Sequence, residues 1–250
     1  MSQAPVDLWV YHFSCQPLLS ADDWAAYFEE AQRILGASIS HFDENDPVRR
    51  RVKPGDSRAL GEYAIAFGEH ESSRQVFGRM ASIGLEFDTN LHRETRVWPN
   101  SVTWYFRNPA TTDCSLADKV RALFRLGNRR LESFYAFADL QPVMSAKGKA
   151  SGRSVDLFAE LLGVFWLTYF GPHYVKFIGR DRLAQLEGVQ GYFDEGATLS
   201  LGETVSDVPA DLRRQVEALL RPRLFVDPAD HTDKRPGQFA LSAEQLSQPL

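Results

Sequence analysis

The chain has 250 residues, 44% hydrophobic and 24% charged, with 17 Phe, 5 Trp, a net charge of −5 and a pI near 5.7. That is an ordinary globular composition with enough length for a substantial core, and its mild acidity argues against a surface that grips nucleic acid through phosphates. Two cysteines without a CxxC pattern, no basic-then-apolar start and no apolar run near the ~18 residues of a membrane helix argue against a zinc module, a secretory leader and a membrane span, which points to the cytoplasm.

In chain order, Val6 to Phe13 predicts a first strand. Ser20 with Asp23 forms a short-armed capping box, followed by Trp24, Tyr27, Phe28, Ala31, Ile34 and Leu35 at helical spacing and by Gly36 as a C-terminal cap. His41 to Asp56 is a polar loop in which Asp43, Glu44 and Asp46 precede Arg49, Arg50, Arg51 and Lys53. Tyr63 to Phe67 reads as a short strand, and Ser72 or Ser73 as the cap of a helix carrying Val76, Phe77, Met80 and Ile83. Leu85 to Phe87 and Thr95 to Trp98 read as strands. Ser101 to Arg107 completes a hairpin around Pro99.

The longest helix is expected from Ser115, with Asp118 at the capping-box position and Val120, Leu123, Phe124, Gly127, Leu131 and Phe134 as its buried stripe. Arg121, Arg125 and Arg129 repeat every four residues beside that stripe. Such a row is usually a solvated face, although it could also hold an anionic ligand. Residues 141–153 (QPVMSAKGKASGR) are either a linker or a loop inside one domain. A short helix with Val155, Phe158, Leu161 and Leu162 follows.

Val164 to Phe170 is apolar on both alternating sides, so it predicts an interior strand at the centre of a sheet. Gly171-Pro172 stops it and starts a helical segment to Leu186, breakable near Gly179. Tyr192-Phe193 and Ala197 to Leu201 flank Glu195-Gly196 as a late hairpin or two edge strands. Ser206 and Pro209 lead into a helix with Leu212, Val216, Leu219 and Leu220, which Pro222 ends. The interleaving lacks a βαβ rhythm. It predicts an α+β fold with a mainly antiparallel sheet, helices packed on it and a central strand at about 164–170. Residues 1–227 are expected to form one domain, divisible into two subdomains near 141–153, and 228–250 a surface tail.

No GxSxG, HExxH, P-loop or GxGxxG occurs. His12, His41, His70, His92, His173 and His231 are scattered, and Glu69-His70-Glu71 alternates faces on an extended chain, so no metal site is expected. Cys15 or Cys114 as a nucleophile would need a nearby His and a lowered pKa, and a buried structural Cys is far more common, while His173 follows a Gly-Pro stop that has its own structural reason. No catalytic residue and no cofactor is expected.

The run FWLTYFGPHYVKFIGRDRL (165–183), then YFDEGATLSLGE (192–203) and the closing RPRLFVDP (221–228) resemble the C-terminal half of bacterial polymorphic-toxin immunity proteins, of the Immunity protein 52 type and its relatives in type VI secretion. The match covers about the last third of the chain. Trp166 to Tyr169 and the acidic-Gly hairpin carry it. The resemblance implies a non-enzymatic α+β protein that binds a cognate toxin, here one resembling a restriction-endonuclease-type nuclease, and blocks it without contacting nucleic acid or membrane. An inhibitor of a phosphate-binding surface has reason to be acidic. Asp43, Glu44 and Asp46 are the first candidates for such a contact, and Asp194 and Glu195 the second.

Overall fold

The computed structural model describes residues 6–16, 19–53, 55–150, 155–186, 190–192, 196–209, 211–220, 222–227 and 234–248. Its elements are β1 (Leu8–Ser14), α1 (Ala21–Leu35), β2 (His41–Asp43), α2 (Ser57–Ala64), β3 (Ser73–Met80), β4 (Leu85–His92), β5 (Asn100–Phe106), α3 (Cys114–Arg130) and β6 (Tyr135–Leu140). Then come α4 (Gln141–Ala150), β7 (Leu167–Phe170), α5 (Pro172–Ile178), α6 (Arg180–Ala184), β8 (Gln190–Tyr192), β9 (Ala197–Ser200), α7 (Leu212–Leu220) and α8 (Ala243–Leu246). The strands form one sheet in the order β2-β3-β4-β5-β1-β6-β7-β9-β8, and every neighbouring pair is antiparallel. The fold is α+β with helices packed on an antiparallel sheet, as the interleaved pattern predicts.

The helix signals that rest on local chemistry are realised. Ser20 and Asp23 close a reciprocal capping box, and Gly36 ends α1 in the left-handed region with φ 68°. Trp24, Tyr27, Phe28, Ala31 and Leu35 are buried on one face. Gly179, at φ 99°, separates α5 from α6 where the break was expected. The longest helix begins one residue earlier than Ser115. Asp113 caps it by accepting the backbone N–H of Ser115 at 2.8 Å, so Asp118 is not part of the cap.

Several expectations are corrected. The stretch with Val76 and Met80 is strand β3, not a helix. Residues four apart satisfy both a period of 3.6 and a period of 2, and the pairing of β3 with β4 over Ser73–Met80 selects the second. Tyr63 closes helix α2 rather than opening a strand, because Asp56 caps α2 and Leu60, Gly61 and Ala64 pack inward. Thr95 to Trp98 form the β4–β5 connection, and β4 runs through to His92. Residues 141–150, expected as linker or loop, form α4. Leu157 to Ala159 make a turn rather than a helix, and Leu161 bridges Phe225. Strand β7 spans Leu167–Phe170 only. It lies inside the sheet between β6 and β9, as two-sided apolarity requires, while β1 occupies the middle of the order. Of the stretch expected as a tail, 228–233 falls outside the described residues. Within 234–248, Ala240, Leu241, Ala243 and Leu246 are buried in the core.

The two faces of the sheet are covered differently. On the first face, Leu8 and Val10 of β1, Phe87 of β4, Trp104 of β5 and Ala136 of β6 pack with Trp24, Tyr27 and Phe28 of α1 and with Val120, Leu123 and Phe124 of α3. His12 of β1 lies against Gly127 of α3, where a Cβ would overlap its ring, and its Nε2 is 3.1 Å from the carbonyl of Phe124. On the second face, Tyr135 and Phe137 of β6, Phe170 of β7 and Leu199 of β9 pack with Tyr174, Ile178, Val216, Leu220, Leu241 and Leu246. That cover stops near β1.

Candidate interaction site

Beyond β1 the second face is open. Strands β3, β4 and β5 alternate strictly: Val76, Met80, Leu85, Phe87, Leu91, Val102 and Trp104 point into the core, and Gln75, Phe77, Arg79, Glu86, Asp88, Asn90, Ser101, Thr103 and Tyr105 point the other way. No side chain of this second set belongs to either apolar cluster. The register lays them out in rows. One row runs Asp43, Phe77, Asp88, Thr103, Tyr11 and Phe137, and its neighbour runs His41, Arg79, Glu86, Tyr105 and Trp9.

The middle of this face is a hydroxyl–carboxylate cluster. Tyr105 donates its hydroxyl to Asp88, which is only 8% exposed. Burial pushes the Asp88 carboxyl above its ordinary range, against the lowering effect of hydrogen bonds from Tyr105 and Thr103. Burial, and then the Asp88 charge, push the Tyr11 hydroxyl up to about 12 and that of Tyr105 higher still. Around it lies an exposed chain of charges: Arg79 bonds Glu86 at 2.6 Å, and Arg107 bridges Glu86 at 2.6 Å and Asp7 at 2.5 Å. The face therefore sets four carboxylates, Asp7, Asp43, Glu86 and Asp88, against three arginines, Arg79, Arg107 and Arg51, the last paired with His41 at the end of its row.

Toward β6 the polar surface gives way to aromatics. Trp9 meets Tyr105 edge-to-face at 5.3 Å, and Tyr11 stacks on Phe13 at 5.9 Å. Trp9, Tyr11, Phe13 and Phe137 floor a groove of about 300 Å³ walled by Met144, Val155, Leu157 and Leu162. Elsewhere, the β4–β5 connection presents Val97 and Trp98, the latter 63% exposed, and is tied down by Thr95 donating to the Cys15 carbonyl at 2.7 Å.

The acidic residues singled out from sequence behave unequally. Asp43 stands at the margin of the open face. Its carboxylate accepts the backbone N–H groups of Arg49 at 3.2 Å and Arg50 at 3.3 Å, and these bonds outweigh a raising effect of burial to leave its pKa lowered. Glu44 pairs with Arg74 at 3.4 Å, and Asp46 is exposed. Asp194 and Glu195 lie outside the described residues. The arginine row divides. Arg121 donates to the carbonyls of Gly202 and Glu203 and lies over the Trp166 ring, whereas Arg125 and Arg129 line a cleft. What sequence reading missed is the open face itself. Its signal was the alternation of 73–80, hidden by the helical reading of that stretch.

Burial lowers the His12 imidazole to about 4 and raises the Cys15 thiol to about 12. Cys114 is exposed, and burial and then the charge of Glu203 raise its thiol. His173 contacts the Gln248 carbonyl at 2.8 Å. Among the described residues no group of three His, Cys, Asp or Glu could hold a metal ion, and no helix is long and apolar enough to cross a membrane.

No family model matches the chain. No curated protein matches it either. Among solved structures, it is similar in fold to the Pseudomonas aeruginosa T6SS protein PA0821, with a TM-score of 0.57 and 14% sequence identity over 97% of this chain and 80% of that one.

Proposed function

We propose that the chain is an immunity protein of a type VI secretion system, which binds and neutralises a cognate secreted antibacterial toxin in the cytoplasm by protein–protein contact. The observation that carries this reading is the likeness of fold, over nearly the whole chain, to a T6SS protein. The resemblance of the last third to polymorphic-toxin immunity proteins of the Immunity protein 52 type supports it independently.

The open sheet face is the proposed docking surface. It combines flat, rigid aromatic area with an excess of carboxylates, and Asp43 extends it toward Glu44 and Asp46. Aromatic side chains give contact area at low cost in conformational entropy. Carboxylates around them steer a basic partner and reject an acidic one. A nuclease, whose working surface must attract phosphate, is a partner of that kind. Neutralisation requires no chemistry of this chain: occupying or covering the toxin suffices, with no cofactor, nucleic acid or membrane involved.

The test is co-expression with the toxic product encoded beside this gene. The expected outcome is cell survival and a complex that co-purifies, both lost when Tyr105→Ala is combined with Asp43→Lys in a chain that still melts cooperatively. Survival that is independent of the partner, or a complex unaffected by that pair of changes, overturns the assignment of function or of face respectively.

A further inference from the structure

Among the described residues, three carboxylate residues are buried: Asp88, Asp139 and Glu160. Asp139 lies 2.8 Å from Arg213, and Glu160 lies 2.5 Å from Lys234. Burying a carboxylate is costly unless a cation offsets the lost hydration, so such pairs are the rule. Asp88 breaks it. Its partners are the hydroxyls of Tyr105 and Thr103, and it meets no lysine or arginine among the described residues, which include all of β1, β3, β4 and β5 around it.

The way Asp88 is buried also differs. Asp139 and Glu160 lie under helices and the chain's last segment, whereas Asp88 stands on the open face of the sheet. Its shield is made of neighbouring side chains: Phe77 opposite it on β3, Thr103 on β5, Tyr11 one strand further, and Tyr105 from the next row. The part of it that remains exposed faces solution. The face has no cation of its own to spare for it, because Glu86 and Asp7 already engage Arg79 and Arg107.

We propose that Asp88 anchors one arginine side chain of the protein partner, whose guanidinium enters between Phe77 and Tyr11 and supplies the cation that this carboxylate lacks. The proposal rests on the reading of the open face as a docking surface and names the group which that surface recognises. A guanidinium suits the place better than an ammonium. It is weakly hydrated, offers a carboxylate two parallel N–H donors and lies flat against aromatic rings. Arg107 already sits over the Tyr105 ring at 5.4 Å. The Tyr105 and Thr103 hydroxyls hold the carboxylate in position beforehand, which lowers the entropic cost of binding. A charged contact set among aromatic rings that exclude water is the kind that dominates an interface.

Two measurements on the full chain test it. In the first, amide NMR follows titration with N-acetyl-arginine amide and with its uncharged counterpart, N-acetyl-citrulline amide. The arginine probe should saturate with a dissociation constant of about 1–10 mM and move the amides of Asp88, Thr103 and Tyr105 most. The citrulline probe should not bind. Asp88→Asn keeps the size and a hydrogen-bond acceptor but removes the charge, so it should abolish the response while melting no lower than the wild type. In the second, affinity for the toxic product encoded beside this gene should fall about tenfold to a hundredfold in Asp88→Asn, the size of one charge-assisted contact. Glu62→Gln, on the exposed surface of α2, should leave it unchanged. No saturation by the arginine probe, shifts centred elsewhere, or equal response of Asp88→Asn would each overturn the proposal. A toxin that binds Asp88→Asn with undiminished affinity removes the anchor and leaves the immunity reading intact. A toxin that binds neither chain removes that reading, and the arginine titration alone then decides the anchor.

Discussion

The second face of the sheet is two surfaces joined at β1. Across β6, β7 and β9 it lies under α4, α5, α7 and the segment 234–248, and the charges there are enclosed. Arg213 grips the fully buried Asp139 in bidentate fashion at 2.9 and 3.0 Å, Lys147 pairs with Glu217, and Lys234 meets Glu160 at 2.5 Å with both side chains at most 3% exposed. Across β3, β4 and β5 no element covers the face, and apart from the buried Asp88 its charges reach solvent, as in the part-exposed Arg79–Glu86–Arg107–Asp7 chain. Under cover, an ion pair cannot be halved without stranding a charge, so it locks the position of the segment that brought it. In the open, a pair contributes little to stability and governs what can approach. The covered end holds the molecule together, and the bare end is the surface proposed to meet a partner.

Removing one member of a covered pair is the strongest way to break this contrast. Arg213→Met leaves the Asp139 carboxylate buried without its partner and should destabilise the fold by about 3–5 kcal/mol in denaturant unfolding. Changing both, Asp139→Leu with Arg213→Met, should recover most of that loss, because two apolar groups strand no charge. A second test uses pH. His12 has a folded pKa of about 4 against an ordinary 6.5, so below 6.5 protons prefer the unfolded chain. Its contribution is complete above pH 6.5 and is lost as pH falls toward 4, about 3 kcal/mol in all. Asp139, whose pKa burial raises, works in the opposite sense and loses stability as pH rises above the ordinary carboxylate value. Comparing acid melts of the wild type and His12→Gln isolates the histidine: the variant should show a shallower loss between pH 6.5 and 4.

Smaller effects mark the local and open features. Ser20→Ala removes the capping-box acceptor of α1 and should cost about 1 kcal/mol, seen as a lowered unfolding midpoint. Arg79→Gln on the bare end should change stability by less than about 1 kcal/mol, since its pair with Glu86 is solvent-exposed. Were Arg79→Gln to destabilise as strongly as Arg213→Met, the distinction between the two ends would fail.

Sequence by itself determined whatever depends on neighbours along the chain. The caps of α1, the glycine break between α5 and α6, the buried stripe of α3 from Val120 to Gly127 and the two-sided apolarity of β7 are short-range consequences of side-chain size and hydrogen bonding. Helix α3 ends at Arg130, and Phe134, expected in that stripe, packs on the other side of the sheet. The interleaved hairpin signals sufficed for the α+β class. Tertiary structure decided the rest. Val76 and Met80 suit two periodicities, and only the presence of β4 alongside makes the stretch a strand and so creates the open face. Arg121, Arg125 and Arg129 are equivalent along the helix. They separate only because Gly202 and Glu203, about eighty residues away in sequence, meet the first while the other two border a cleft. Partners brought together by folding, rather than spacing, fix which charges are enclosed and which are available.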